Sequence, residues 1–168
     1  MLDSRRCSWA LLSFVICVAA TPVSATVLLP ADFSTKVTES DVIVHGRVVE
    51  VRSALVGPQR LIESVVTVAV AESLKGAAGS TVTFRVPNGQ VGRYRRIVVG
   101  APEFAEGDEV VLFLRGRAPA MPVLFGLSQG VYRVTRDEAA RAVVTAARRS
   151  MSVDAFAREV HAVLERTR

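Results

Sequence analysis

Cysteine is nearly absent from this chain of 168 residues, and both examples, Cys7 and Cys17, fall in the first 17 positions. A disulfide framework in the body of the chain is therefore excluded, as is thiolate catalysis there. Histidine is equally scarce. The two present, His45 and His161, lie far apart in sequence and neither has a motif around it, so a zinc site is not expected. His45 reads as a residue on one sheet face and His161 as a polar residue on a helix surface. No Gly-x-Ser-x-Gly elbow occurs, and Ser128 reads as a turn residue. The glycines at 76 and 79 lack the Lys-Ser/Thr that a phosphate loop needs. Glu103, Glu106, Asp108 and Glu109 form an acidic cluster without EF-hand spacing, which reads as a solvated loop rather than a calcium site. No catalytic constellation emerges, no metal or other cofactor is called for, and the chain is read as non-enzymatic.

What is present begins with an export signal. Arg5 and Arg6 precede an uncharged apolar stretch at 8–20, and Val23-Ser24-Ala25 supplies small residues for signal peptidase. The stretch is short for a membrane span, which needs about 20 apolar residues. Ile16 before Cys17 is bulky where a lipobox requires a small side chain, so lipidation is discounted. Residues 1–25 are read as a cleavable signal peptide, cut between Ala25 and Thr26, with no transmembrane anchor afterwards. The remaining 26–168 is read as a single domain of ordinary size, periplasmic or secreted, stabilised by packing. The net charge of +5 reads as solubility with affinity for anionic surfaces, because an exported protein rarely meets nucleic acid.

The mature chain is punctuated at all-β spacing. Asp32 is placed to cap a short helix within 31–40, with Phe33 and Val37 on one face. Strands are expected at 41–51, where Gly46 suggests a bulge or bend, and at 62–74, apolar on both faces and hence central. Further strands are expected at 81–86, 96–99, 109–115 and 121–127, with a turn at 87–90 and an irregular link at 100–108. Val131–Val134 and Ala142–Thr145 read as a final hairpin around 137–140, although the Ala/Arg-rich run 138–149 is also compatible with helix. Ser152 caps a closing helix over 152–166, in which Val153, Phe156, Val160, Val163 and Leu164 form an apolar stripe at helical spacing. The sum is a mostly β domain, a small barrel or alternatively a sandwich, with a C-terminal amphipathic helix docked on the sheet.

Three runs carry a resemblance: Ser40-Asp41-Val42-Ile43-Val44-His45-Gly46-Arg47-Val48, Val70-Ala71-Glu72-Ser73-Leu74-Lys75-Gly76, and Glu106-Gly107-Asp108-Glu109-Val110-Val111-Leu112-Phe113-Leu114. They resemble the netrin-like domain, the OB-type barrel also found in tissue inhibitors of metalloproteinases. The run Gly100-Ala101-Pro102-x-Phe104-x-x-Gly107 is similar to one in uncharacterised exported bacterial proteins. The resemblance covers about half of the mature chain and implies an OB-like barrel. Those inhibitors chelate a protease zinc through an N-terminal cysteine. Here the expected N-terminus is Thr26 and no cysteine remains, so that mechanism does not carry over.

The candidate binding patch is Asn88 with Arg93, Tyr94, Arg95 and Arg96. Three arginines around a tyrosine suit recognition of anionic or aromatic groups, and the alternative is a solvated edge strand guarded by charge. The leading expectation is an interaction module that binds a protein of the envelope or medium, such as a protease. A carrier of an apolar or anionic small ligand in the barrel is the alternative. A hydrolase using Glu72 and Glu109 comes third.

Overall fold

The computed structural model describes residues 30–116, 119–137, 141–146 and 149–167. The expected signal peptide and its cleavage point, Ala25 and Thr26, lie outside these residues, as does most of the loop at 137–140.

Helix α1 (Phe33–Glu39) starts where expected, because the Asp32 carboxylate accepts the Thr35 N–H at 2.6 Å. Two long strands follow, β1 (Val42–Val56) and β2 (Leu61–Lys75), paired antiparallel almost end to end. β3 (Thr81–Val86) pairs with β2. A small separate hairpin, β4 (Gly89–Val91) and β5 (Tyr94–Arg96), comes next. β6 (Glu109–Arg115) returns beside β1. The two-residue β7 (Val123–Leu124) lies between β6, antiparallel, and β3, parallel. The order β1-β2-β3-β7-β6-β1 closes on itself. The fold is mostly β with a closed five-strand mixed barrel, which decides against the sandwich.

Beyond the barrel, β8 (Val131–Arg136), β9 (Ala142–Ala146) and β10 (Arg149–Ser152) extend the sheet from the free edge of β6. The β8–β9 hairpin answers the ambiguity of that segment in favour of strand. Helix α2 (Val153–Arg166) is capped by Ser152, whose hydroxyl accepts the Ala155 N–H at 3.2 Å.

Two cores result. The barrel interior holds Val44, Val48, Val66, Val68, Phe84, Val86, Val110, Leu112 and Leu114. The second core lies between the outer wall of β1 and β6 and the layer formed by α1, α2, β8 and β9. It contains Val37, Ile43, Val111, Phe113, Tyr132, Val144, Phe156 and Val160. The period-2 alternation of a strand sends Val110, Leu112 and Leu114 inward and Val111 and Phe113 outward. Both faces of β6 are covered, so its run EVVLFLR is uninterrupted in hydrophobicity. β1 keeps its apolar residues inward past Val48 by a register shift between Val48 and Glu50, which restores Val51 to the interior side.

Three expectations are corrected. The strand expected at 96–99 ends at Arg96, since no strand among the described residues pairs with the following residues. The strand expected at 121–127 contracts to Val123–Leu124, because Pro122 has no N–H to continue the ladder and a 3₁₀ turn (Leu127–Gly130) follows closely. The turn expected at 87–90 falls instead at Gly92-Arg93, and Gly89-Gln90 belong to β4. β10 is additional.

Candidate functional site

One end of the barrel is roofed by the β4–β5 hairpin and the irregular link that follows it. The roof is held by side-chain bonds to β1 and β2. Ser64 Oγ donates to the Asn88 carbonyl at 2.8 Å, and the Gln90 N–H donates to Ser53 Oγ at 3.1 Å. At Gly89 a Cβ would sit 2.6 Å from Ser53 Oγ and 2.8 Å from Ser64 Oγ, and φ is +147°. Only glycine lets the hairpin approach this closely. Asn88 Nδ2 donates to the Pro102 carbonyl at 2.8 Å, tying the hairpin to the link.

Beneath this roof lies a cavity of about 360 Å³. Val51, Ser64 and Val66 form its floor, and Asn88, Arg95 and Phe104 stand on its walls. Phe104 is anchored edge-on to Phe84 of the barrel core, with centroids 5.4 Å apart.

The five residues singled out from sequence divide into two groups. Asn88, Arg95 and Arg96 line the cavity. Arg95 pairs with Glu103 at 2.8 Å, and Arg96 donates to the Ile62 carbonyl at 3.2 Å with Glu63 at 3.8 Å. Both therefore act partly as struts. Arg93 and Tyr94 form the tip. Arg93 lies 5.1 Å from the Tyr94 ring centroid and donates to its hydroxyl at 2.9 Å. Tyr94 is 61% exposed, and the unpaired stretch after it carries Ile97 at 72% and Val99 at 94%. These are the most exposed large apolar side chains among the described residues. Sequence reading missed Ile97 and Val99 because β-branched residues read as strand when the missing partner strand is not visible.

The link 103–108 is locked to the frame. Val48 N–H donates to the Asp108 carbonyl and Gly107 N–H to the Val48 carbonyl, both at 2.8 Å. Arg133 pairs with Asp108 at 2.7 Å and lies over the Phe104 ring. Burial works against the charged form of Asp108. The Ala105 N–H and the Arg133 guanidinium, by bond and by charge, outweigh it and hold the carboxyl below its usual range. A depressed folded-state pKa contributes stability that is present above the unfolded value of about 4 and lost as pH falls through the folded value. Acidification below about pH 4 should loosen the link first, seen as faster amide exchange at 104–108. Asp108→Asn should abolish that pH dependence; an unchanged acid profile in the variant would assign it elsewhere.

Three members of the acidic cluster read from sequence are divided among different arginines. Glu103 faces Arg95, Asp108 faces Arg133, and Glu109 meets Arg47 at 3.1 Å and His45 Nε2 at 3.0 Å. Among the described residues no group of three His, Cys, Asp or Glu side chains is arranged to hold a metal. His45 lies on the outer barrel face and His161 is exposed on α2. Glu72 is exposed opposite His45 in the β1–β2 register.

The molecule is thus a five-strand mixed barrel with a three-strand extension, a helical outer layer and a roofed mouth. No protein-family model matches the chain, and no match is found among curated proteins. No helix among the described residues is long and apolar enough to cross a membrane.

Proposed function

We propose that this chain is an exported, non-enzymatic interaction module of the OB type, akin to the netrin-like domain, that binds a protein of the envelope or medium, such as a protease. The observation that carries the reading is the exposed row Tyr94, Ile97 and Val99 on the roof of the barrel mouth, beside Arg93 and Arg95. Tyrosine and arginine dominate interface hot spots because they bury large area while keeping a polar end satisfied. The OB reading draws support from the closed five-strand barrel, a type that binds through its loops and one strand face. The export signal read at 1–25 supports the location.

Affinity capture tests the reading. The purified chain is immobilised and exposed to native envelope and culture fluid. One variant changes Arg93, Tyr94, Arg95 and Arg96 to alanine; another is Ile97→Ser/Val99→Ser, which touches none of the struts. A retained protein should lose at least about tenfold in affinity to both variants. Retention by both at full affinity would sink this surface as the interface.

The alternative is a small-ligand carrier, favoured by the cavity floored by Val51 and Val66 and walled by Phe104 and Arg95. It predicts a co-purifying mass in native mass spectrometry that Val66→Phe displaces, whereas a clean apo mass would count against it.

A further inference from the structure

The barrel closes through a thin seam. Of the five strands, β7 contributes two residues, and it meets β3 at the single pair Arg85↔Val123. Along the rest of that β3 edge no strand pairs among the described residues. Its direction follows from the ladder. Val70 N–H donates to the Ser80 carbonyl at 2.9 Å, and Val82 and Phe84 sit opposite Val68 and Val66 in the same register. Hydrogen-bonded pairs alternate along an antiparallel ladder, so the N–H and C=O groups of Val82 and Phe84 face β2. Those of Thr81, Thr83 and Arg85 face the other way. Arg85 uses its N–H, donating to the Pro122 carbonyl at 3.2 Å. Thr81 and Thr83 pair with no strand among the described residues.

Pro122 and Pro119 explain why β7 does not run back along this edge, since neither has an N–H to offer. The chain diverges and leaves a groove of about 700 Å³ beside Thr81 and Thr83, walled by Val42, Ala78, Pro119 and Pro122. Asp41 alone among its lining residues is charged, and its Oδ2 accepts the Gly116 N–H at 2.8 Å. Among the described residues the groove is therefore lined by small and, apart from Asp41, uncharged side chains, with the main-chain donors and acceptors of β3 on one wall.

We propose that this groove binds an extended peptide, uncharged and small where it faces the barrel, as an added strand on β3. Edge groups two residues apart repeat at about 7 Å along a strand. Another extended main chain meets both at once, and a compact small molecule does not. Strand addition of this kind takes its affinity from the main chain and its selectivity from the side-chain pockets. Small side chains flank the edge groups of Thr81 and Thr83, which suits a lone extended peptide without bulky residues on that side. The groove lies by the start of β3 and the roofed mouth by its end, so the two surfaces are separately testable.

The experiment measures amide hydrogen exchange in the purified full chain. The probe is a capped synthetic peptide with a Gly-Thr-Val-Thr-Val-Gly centre and a lysine at each end for solubility. The control is the same peptide N-methylated at alternate amides. The free peptide should slow exchange at Thr81 and Thr83 by about tenfold or more, while Val82, already bonded to β2, stays unchanged. The N-methylated peptide should do nothing. Thr83→Pro should remove the effect, and Arg93→Ala/Tyr94→Ala should leave it intact. No slowing, equal slowing by the methylated peptide, or full affinity in Thr83→Pro would overturn the proposal. Protection that appears without peptide and rises with protein concentration would also overturn it, assigning the edge to a second copy.

Discussion

Replacing Phe113 by alanine is expected to remove about 3–5 kcal/mol of stability and lower the melting temperature by roughly 10 °C. The side chain is fully buried at the centre of the outer core. Its ring meets Phe33 at 6.2 Å, Tyr132 at 5.3 Å and Phe156 at 6.2 Å, so three different elements lean on it. Truncation leaves a cavity that β6 cannot collapse, because its backbone is paired with β1 on one side and β8 on the other. The loss would be read by urea denaturation followed by circular dichroism. Phe113→Leu, which keeps most of the volume, should cost under about 1.5 kcal/mol. A loss below about 1 kcal/mol for the alanine variant would mean that α1 and α2 do not pack on the barrel as described.

Gly46→Val should be worse, beyond about 4 kcal/mol, leaving no cooperative unfolding transition. Gly46 pairs with Val70 on one side and Val110 on the other, at a register shift in β1. A Cβ there would lie 2.3 Å from the Ala69 carbonyl oxygen and 2.7 Å from Val68 Cγ1. The first contact is backbone within a two-sided ladder and cannot give way, so β1 must leave β2, β6 or both. Gly46→Ala carries the same clash with fewer atoms and should fold with a stability loss of about 1–3 kcal/mol or more. A sharp, wild-type-like transition in the valine variant would refute this close approach.

The two positions differ in how plainly the sequence announced them. A glycine inside a β-branched run already signals a bulge or bend, and Gly46 does sit at one. Phe113 is one apolar residue among several in 109–115. That it belongs to the outer core rather than the barrel depends on which neighbours cover each face of β6.

The roof of the barrel was legible only in part. The composition of the run around Arg93 and Tyr94 singled it out. Nothing local said that Arg95 and Arg96 would be drawn to Glu103 and Ile62 while Arg93 and Tyr94 stay at the tip. The row Ile97 to Val99 shows the opposite failure. Its residue types favour strand, but β propensity expresses packing and pairing with a neighbour, and no strand among the described residues pairs with it. Pro122 carried a readable warning against a strand over 121–127, and the seam between β3 and β6 is thin for that reason.

By itself the sequence determined the features that depend on bonds within a few residues. These are the Asp32 and Ser152 caps, the helices they start, the long β-branched strands, and the amphipathic stripe of α2. It also determined the shortage of histidine and cysteine. Tertiary structure decided the closure of five strands into a barrel, the split into two cores, and the β8–β9 hairpin over a helix. It also decided which arginines became struts and which edge of β3 lacks a partner strand among the described residues. Each of these depends on partners dozens of residues away. A strand acquires its place from the hydrogen bonds and covered faces that another strand supplies, and no local pattern encodes which strand that will be.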